Sequence, residues 1–510
     1  MAANTLGCRR RWQEQSSRLR FDSKISCDQL RNDQEPSAAG FCVHEPIADS
    51  RKIRDQVSVP FKSLGCLGIF EQSGESIPWL IIIRTTYVDD DCREQDLLAC
   101  LSGAQNLTVV SPDSPSYNTD RLTFNRRFAY RPAAIVYSTG VQDVQVAVQC
   151  GASSGTPVVA RSGGHSYAAY GTGGQDASLV IDLSRMASLT LNNLTGEATA
   201  QTGIKLGPLA QGLWDQGRRA LPHGICPYVG IGGHTAYGGA GLFSRQAGLL
   251  IDRAVRAEVV LANGTVATAA LRGAGPSFGI VTAWTYATLP APNSIGYILT
   301  LKPAAGDKTP IIDAFNHFQT FARNALPTWG IVLAVVPDGP NKLAFEISGN
   351  FYGSTADFNA SFQPLLNSIP QAELTSQEFT WIEALANTAG SLSTVSPEPV
   401  SGYLLLRSLT ELIGSCASLI TFMPSHSSCL VYGGEIARAS SNVTSFFNRD
   451  AFLTFQFYAS AKNLTSPYPA SGLTFVSGMH DTLQVSPEAA CKKRAYTESL
   501  LPRLTLVPRS

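Results

Sequence analysis

The sequence predicts an α+β fold: a glycine-rich region of short strands and helices, followed by an antiparallel sheet carrying helices on one face. Three observations predict it. Residues 133–160 read as strand, helix and strand with short connections. Two glycine-dense loops, 161–167 and 222–234, follow strand and helix patterns rather than lying in linkers. Beyond Pro290-Ala291-Pro292 the pattern changes to longer strands separated by longer helices.

Composition narrows the class. A chain of 510 residues buries a large core and suggests roughly two to four domains. Its hydrophobic share of 44% and charged share of 15% are those of ordinary globular proteins. Basic and acidic residues balance at 39 each, so no nucleic acid and no anionic membrane surface is expected as a partner. The longest apolar run near the start, Trp79 to Ile83, is far too short to span a membrane.

Residues 1–94 mix charges, Ser and scattered Cys without a sustained period and read as loop or disorder. From Asp96 an apolar helical stretch leads to the segment Asn118 to Phe128. Ala133 to Tyr137 is a short apolar strand, and Thr139 with Gln142 forms a capping box for the next helix. Val141, Val144 and Val148 share one face of that helix, which Gly151 to Gly155 ends; Pro157 to Ala160 is the next strand. The unit lacks a G-x-G-x-x-G turn, which disfavours a nicotinamide site.

Further on, Ser178 to Leu183 and Ala198 to Thr202 are strands, Leu206 to Gln216 is a helix, and Arg253 to Leu261 alternates as a half-buried strand does. Asn263-Gly264 turns that strand back through Thr265 to Thr268. The last large region has strands at Ile298 to Leu301, Gly330 to Val336 and Lys342 to Tyr352, with helices at Ile311 to Ala325 and Ala356 to Leu366.

The chemistry concentrates in the two loops, Arg161-Ser162-Gly163-Gly164-His165-Ser166-Tyr167 and Pro222-His223-Gly224-Ile225-Cys226-Pro227-Tyr228-Val229-Gly230-Ile231-Gly232-Gly233-His234. Glycines at this density let backbone approach a ligand closely, and their N–H groups solvate a diphosphate. His165 offers a nucleophilic ring nitrogen and Cys226 a thiol. Taken singly, a His beside glycines is a turn or core residue, and a lone Cys is a buried one. His165, His223 and His234 fall at no known metal-ligand spacing, so no metal is assigned.

Together the loops resemble those of FAD-linked oxidases of the vanillyl-alcohol oxidase superfamily, specifically the berberine bridge enzyme and oligosaccharide oxidase group. The likeness runs from about Leu98 to about Leu483, roughly three quarters of the chain. It implies a two-subdomain PCMH-type FAD-binding domain over 95–291, a substrate domain over 292–485 and an altered closing segment over 486–510. It also implies FAD held bicovalently, through His165 at the 8-methyl carbon and Cys226 at carbon 6. The cofactor set carried over is Arg161, Ser162, Gly163, Gly164, His165 and Ser166 from the first loop, and Cys226, Val229, Gly230, Gly232, Gly233 and His234 from the second. Gly238 extends the glycine wall, and Gly279, Ile280 and Val281 contact the cofactor through backbone. Tyr167 resembles a tyrosine facing flavin and substrate, or else packs on the isoalloxazine. Gln456, in Phe455-Gln456-Phe457-Tyr458, either points toward a sugar substrate or faces solvent. Cys100 and Cys150 resemble a family disulfide, and eleven cysteines in all leave an odd one that Cys226 would explain.

The implied activity is hydride transfer from a substrate carbon to flavin with dioxygen as acceptor, in a monomer. The leading substrate is an oligosaccharide; the alternative is an oxidative step on a specialised metabolite. Two departures support a third reading, a product that is not catalytic. The family has an additional helix between the hairpin and the segment Ala270-Leu271-Arg272-Gly273, and its closing segment continues Tyr-x-Asn-Tyr where this chain has Cys491-Lys492-Lys493-Arg494-Ala495-Tyr496. The general base lies in that closing segment, so no base is assigned. Sequons at Asn106, Asn193, Asn263, Asn359, Asn442 and Asn463 suit a secreted glycoprotein, although Cys8-Arg9-Arg10-Arg11-Trp12 leads into polar sequence rather than a signal peptide.

Overall fold

A computed structural model describes residues 90–269, 275–392, 402–409, 427–440, 444, 446–460, 470–485 and 495–496. The expectation for 1–94 falls, up to residue 89, outside the described residues, as do Ala270 to Gly273 and most of 486–510. The first described helix spans Asp90–Gly103 and puts Leu97 and Leu101 in a core with the next helix, Val141–Ser154. The two helices are stapled by the disulfide Cys100–Cys150.

Among the described residues, three large sheets organise the rest, beside a two-stranded pair of Arg219–Ala220 with Leu289–Pro290. In the first, strands Ala134–Tyr137, Leu179–Asp182 and Val158–Arg161 run parallel in that spatial order, and Thr108–Val110 adds an antiparallel edge. Parallel strands need a crossover, and Val141–Ser154 is the one between the first strand and Val158–Arg161; Val144, Ala147 and Val148 are its buried face. Its N-terminal turn closes through Asp143, whose carboxylate accepts from Thr139 N and Thr139 Oγ1 at 2.7 Å each, rather than through Gln142. The helix also runs past Gly151 to Ser154. Gly155 at φ +70° ends it, while Gly151 is the bare spot against which Val158 packs.

The second sheet is antiparallel, in the order Leu189–Asn192, Glu197–Gln201, Gly279–Ala287, Ala254–Leu261 and Val266–Ala269. The Asn263-Gly264 turn forms its last hairpin, with Gly264 at φ +80°. Helix Leu206–Gly217 covers this sheet through Leu206, Leu209 and Leu213.

The third sheet has eight antiparallel strands. In order they are Glu373–Phe379, Ser294–Leu301, Leu343–Phe351, Trp329–Pro337, Ser427–Val431, Leu453–Ser460, Gly402–Leu409 and Ala495–Tyr496. Alternate residues such as Ile331, Leu333, Ile347, Phe455 and Phe457 face one large core, which helices Thr309–Asn324, Thr355–Ser368 and Ala470–Val485 cover. The short helix Trp381–Ala389 departs from the expected one-sided arrangement: Trp381 packs instead with Phe243, Ala247 and Tyr352. Arg245 reinforces this junction by donating to the carbonyls of Tyr432 and Ala325.

Candidate active site

Backbone contact brings the two glycine loops together. A Cβ on Gly163 would lie 2.3 Å from Gly230 N, and one on Gly230 would lie 2.1 Å from Gly163 N, so only glycine permits this approach. Ser162 ties the same seam: its hydroxyl donates to Thr202 O at 2.6 Å and accepts from Gly232 N at 3.2 Å. Gly164 holds φ +68°, turning the chain so that His165 leaves the strand and enters the site.

His165 sits in an aromatic cluster. Phe124 stacks on its ring with centroids 3.9 Å apart, and Tyr228 lies nearly parallel at 5.2 Å. Tyr167 meets His165 edge-on at 5.9 Å and Tyr458 at 5.8 Å. Burial lowers the His165 pKa to about 4; its own backbone hydrogen bond opposes this and the Lys205 charge adds to it. The imidazole is therefore neutral near pH 7, and its buried Nε2 has no protein partner. Cys226 is a free, exposed thiol. Burial, then Cys226 and Tyr458, push the Tyr228 phenol up, which places Tyr228 between the thiol and the imidazole it stacks on.

The remaining predicted residues divide by what their side chains do. Arg161 is committed elsewhere: its guanidinium pairs with buried Asp182 and donates to Asp120 O at 2.8 Å, so the loop's entry is anchored rather than charged. Ser166 Oγ accepts from Tyr170 N at 3.3 Å. Val229 lies against the core of the second sheet. His234 is half-buried, its Nε2 accepts from Gly224 N at 2.9 Å, and burial with the nearby His223 and His165 lowers its pKa to about 3. Gly233 has nothing within 4 Å of where a Cβ would stand, and Gly238 takes φ +109°. Ile280 and Val281 bury their side chains in two different cores, leaving only backbone to offer a ligand, and Gly279 is pressed against Val260 O.

Gln456 lies on the half-buried face of its strand, between the inward Phe455 and Phe457. By strand alternation it shares that face with Tyr458, which touches Tyr167. The strand thus belongs to the same cluster as the first glycine loop. Sequence reading assigned no role to Phe124, Tyr228 or Tyr458. The alternation of Phe455 and Phe457 was the signal that could have singled out Tyr458 beside Gln456. Tyr496 lies in a short strand that pairs with Leu406.

The residues present fit a flavin: bare backbone along the approach, a neutral imidazole with an unpartnered nitrogen, and an accessible thiol. Comparison with known proteins points the same way. The FAD binding domain family matches residues 132–270. The chitooligosaccharide oxidase of Gibberella zeae is 32% identical over 423 residues, covering 77% of this chain and 83% of that protein. Among solved structures, the berberine-bridge-enzyme-like protein 1 of Physcomitrella patens superposes with a TM-score of 0.72 at 27% identity, over 78% of this chain and 90% of that one. Glucooligosaccharide oxidase from Acremonium strictum, described with a 6-S-cysteinyl, 8α-N1-histidyl FAD, gives a TM-score of 0.70 at 29% identity, over 77% of this chain and 88% of that one.

Proposed function

Because this chain belongs to the FAD-linked oxidases of the vanillyl-alcohol oxidase superfamily, in their berberine bridge and oligosaccharide oxidase branch, we propose that it oxidises a carbon–hydroxyl centre of an oligosaccharide. The chain is an FAD-linked oxidoreductase of α+β fold. The observation that carries the flavin-attachment reading is the neutral, unpartnered His165 nitrogen in one aromatic cluster with Tyr228, two residues from the Cys226 thiol. When bound, FAD supplies the two-electron acceptor for a hydride leaving the substrate carbon.

The chain's own residues do the rest. The backbones of 162–166 and 229–234 hold the cofactor, with Gly238 and the backbone of 279–281 extending the wall. His165 and Cys226 are its two covalent attachments, since both present an uncharged or accessible nucleophile at loop positions that glycine contacts fix. Tyr167 and Tyr458 stand edge to face over the site, and Gln456 shares Tyr458's face, which suits a sugar ring needing both an apolar wall and hydrogen bonds. We assign 95–291 to cofactor binding and 292–485 to the substrate. Dioxygen is the acceptor and the protein acts as a monomer. The Cys100–Cys150 disulfide and the exposed sequon residues Asn193 and Asn263 support an extracellular glycoprotein. Among the described residues, no helix is long and apolar enough to cross a membrane.

Two measurements test this reading together. Acid-precipitated wild-type protein should stay yellow after washing, with His165→Ala and Cys226→Ala each altering the spectrum of the retained flavin. Cello- or chito-oligosaccharides should release peroxide. A colourless wild-type pellet would overturn the covalent assignment, and loaded protein that yields no peroxide from either sugar would overturn the substrate class.

A further inference from the structure

His223 and Trp381 come from distant parts of the chain and line one small cavity. His223 stands three residues before Cys226, and Trp381 begins the helix Trp381–Ala389 that packs at the junction with the large sheet. Their rings meet edge to face with centroids 6.2 Å apart. Both are more than nine-tenths buried, His223 being 7% exposed and Trp381 2%. With Ile225, Asn350 and Thr388 among their neighbours they line a cavity of about 10 Å³. Two polar atoms of these rings, His223 Nε2 and Trp381 Nε1, have no protein partner.

The protons can be placed. His223 Nδ1 lies 2.8 Å from Gly224 O, and a carbonyl only accepts, so Nδ1 carries the hydrogen. Burial lowers the His223 pKa and keeps the ring neutral, so Nε2 is a bare acceptor. Indole Nε1 is only a donor. One orphaned donor and one orphaned acceptor therefore face the same space, and a water molecule is the smallest ligand that satisfies both.

We propose that one water molecule is bound in this cavity, accepting from Trp381 Nε1–H and donating to His223 Nε2, and that it pins the loop carrying Cys226 to the Trp381 helix. The volume is about what a single water centre requires. Asn350 and Thr388 supply further polar wall; Asn350 Nδ2 and Thr388 Oγ1 lie 3.5 Å apart. His223 is then a positioning residue: the bridge holds its Nδ1–H on Gly224 O, and Gly224 N in turn donates to His234, so the backbone two residues before Cys226 is tied at both ends. This consequence rests on the proposed attachment of flavin at Cys226; the water site itself does not.

The experiment has three arms on the full-length protein. A crystal structure at high resolution should show one ordered water within hydrogen-bond distance of both nitrogens; a dry cavity, or a direct bond between the rings, overturns the site. Nitrogen-15 spectra of histidine-labelled protein at neutral pH should show His223 protonated at Nδ1 and not at Nε2, and the opposite tautomer overturns it. Trp381→Phe keeps an aromatic side chain at this position and removes the donor together with the five-membered ring. The share of chains carrying the cysteinyl thioether should fall at least twofold by intact mass and absorbance, while the His165-linked share is unchanged. An unchanged thioether share overturns the positioning role. If wild type itself carries no thioether, the flavin-attachment reading fails, and the crystal and spectral arms still decide the water site.

Discussion

Gly230→Ala is the sharpest probe of how the two loops make a site. Gly230 has φ −77° and ψ 141°, which any residue adopts, so the substitution carries no backbone strain of its own. Its cost is collision: the new methyl would stand 2.1 Å from Gly163 N and 2.3 Å from Ser162 Oγ. Ordinary contact begins near 3.4 Å, so the loops must part by more than 1 Å. The obstructing atom on the first loop is backbone and cannot rotate away. Overpacking of this kind costs about 1–3 kcal/mol. Parting the loops also stretches the Gly232 N–H to Ser162 Oγ and Ile231 N–H to Ile204 O hydrogen bonds, at about 1 kcal/mol each. The expected loss of about 3–5 kcal/mol lowers the melting temperature by on the order of 5 °C in a protein of this size. Scanning calorimetry measures that, and the acid-precipitated pellet measures bound flavin, which should fall with it. Gly233→Ala is the companion. No protein atom lies within 4 Å of its Cβ position, and alanine favours the helix Ile231–Ala236 by about 1 kcal/mol. Stability should therefore hold while flavin content falls, because the methyl intrudes where the cofactor approaches. Wild-type melting and wild-type colour in Gly230→Ala would refute the reasoning.

Three further outcomes follow from buried groups. Cys150→Ser opens a crosslink with a sequence separation of 50 residues, worth about 4 kcal/mol in the chain-entropy account, so the urea midpoint should drop; a reductant should lower wild type equally and leave the variant unmoved. The His165 pKa of about 4 lies below its unfolded value of 6.5, so the unfolded chain binds more protons as pH falls. Stability of the flavin-free protein should then be full above pH 6.5 and decline by about 3 kcal/mol toward pH 4 from this residue alone. Urea midpoints across that range check it, with His165→Phe flattening part of the slope; a level wild-type profile contradicts it. Arg449 forks onto Asp252 at 2.8 and 2.6 Å with both side chains largely buried, so Arg449→Met strands a carboxylate and should cost about 3–5 kcal/mol, part of which Asp252→Asn in the same chain restores.

How much of this was legible in the sequence depended on whether the determining residues are neighbours along the chain. Alternation placed the strand that becomes Ala254–Leu261, and Asn263-Gly264 placed its hairpin, because the deciding residues lie within a few positions of each other. Strand Glu373–Phe379 escaped because it is an edge strand with mostly exposed side chains, leaving no apolar period to read. The helix end was misplaced because Gly151 and Gly155 look alike in sequence. One is there for Val158 to pack on and the other for a left-handed turn, and only the fold tells them apart.

The same rule sorts the site. His165 and Cys226 stood out in the sequence because the proposed bonding to a ring demands particular atoms, and few residue types carry them. The ion pair that Arg161 makes was not legible, because its partner, Asp182, is 21 residues away and meets it only through parallel pairing of Val158–Arg161 with Leu179–Asp182. Tyr228 and Tyr458 went unassigned for a related reason: one rides on a glycine loop and the other on strand Leu453–Ser460 of the large sheet, and their joint approach to His165 and Tyr167 is a product of packing. This separation yields a discriminating expectation. Replacing Tyr458 with Phe keeps the edge-to-face contact with Tyr167 and removes only the hydroxyl, so flavin content and melting should match wild type, while sugar-dependent peroxide release should fall if that face receives the substrate. Unchanged turnover would confine Tyr458 to packing and leave Gln456 as the polar group of that strand on the substrate side.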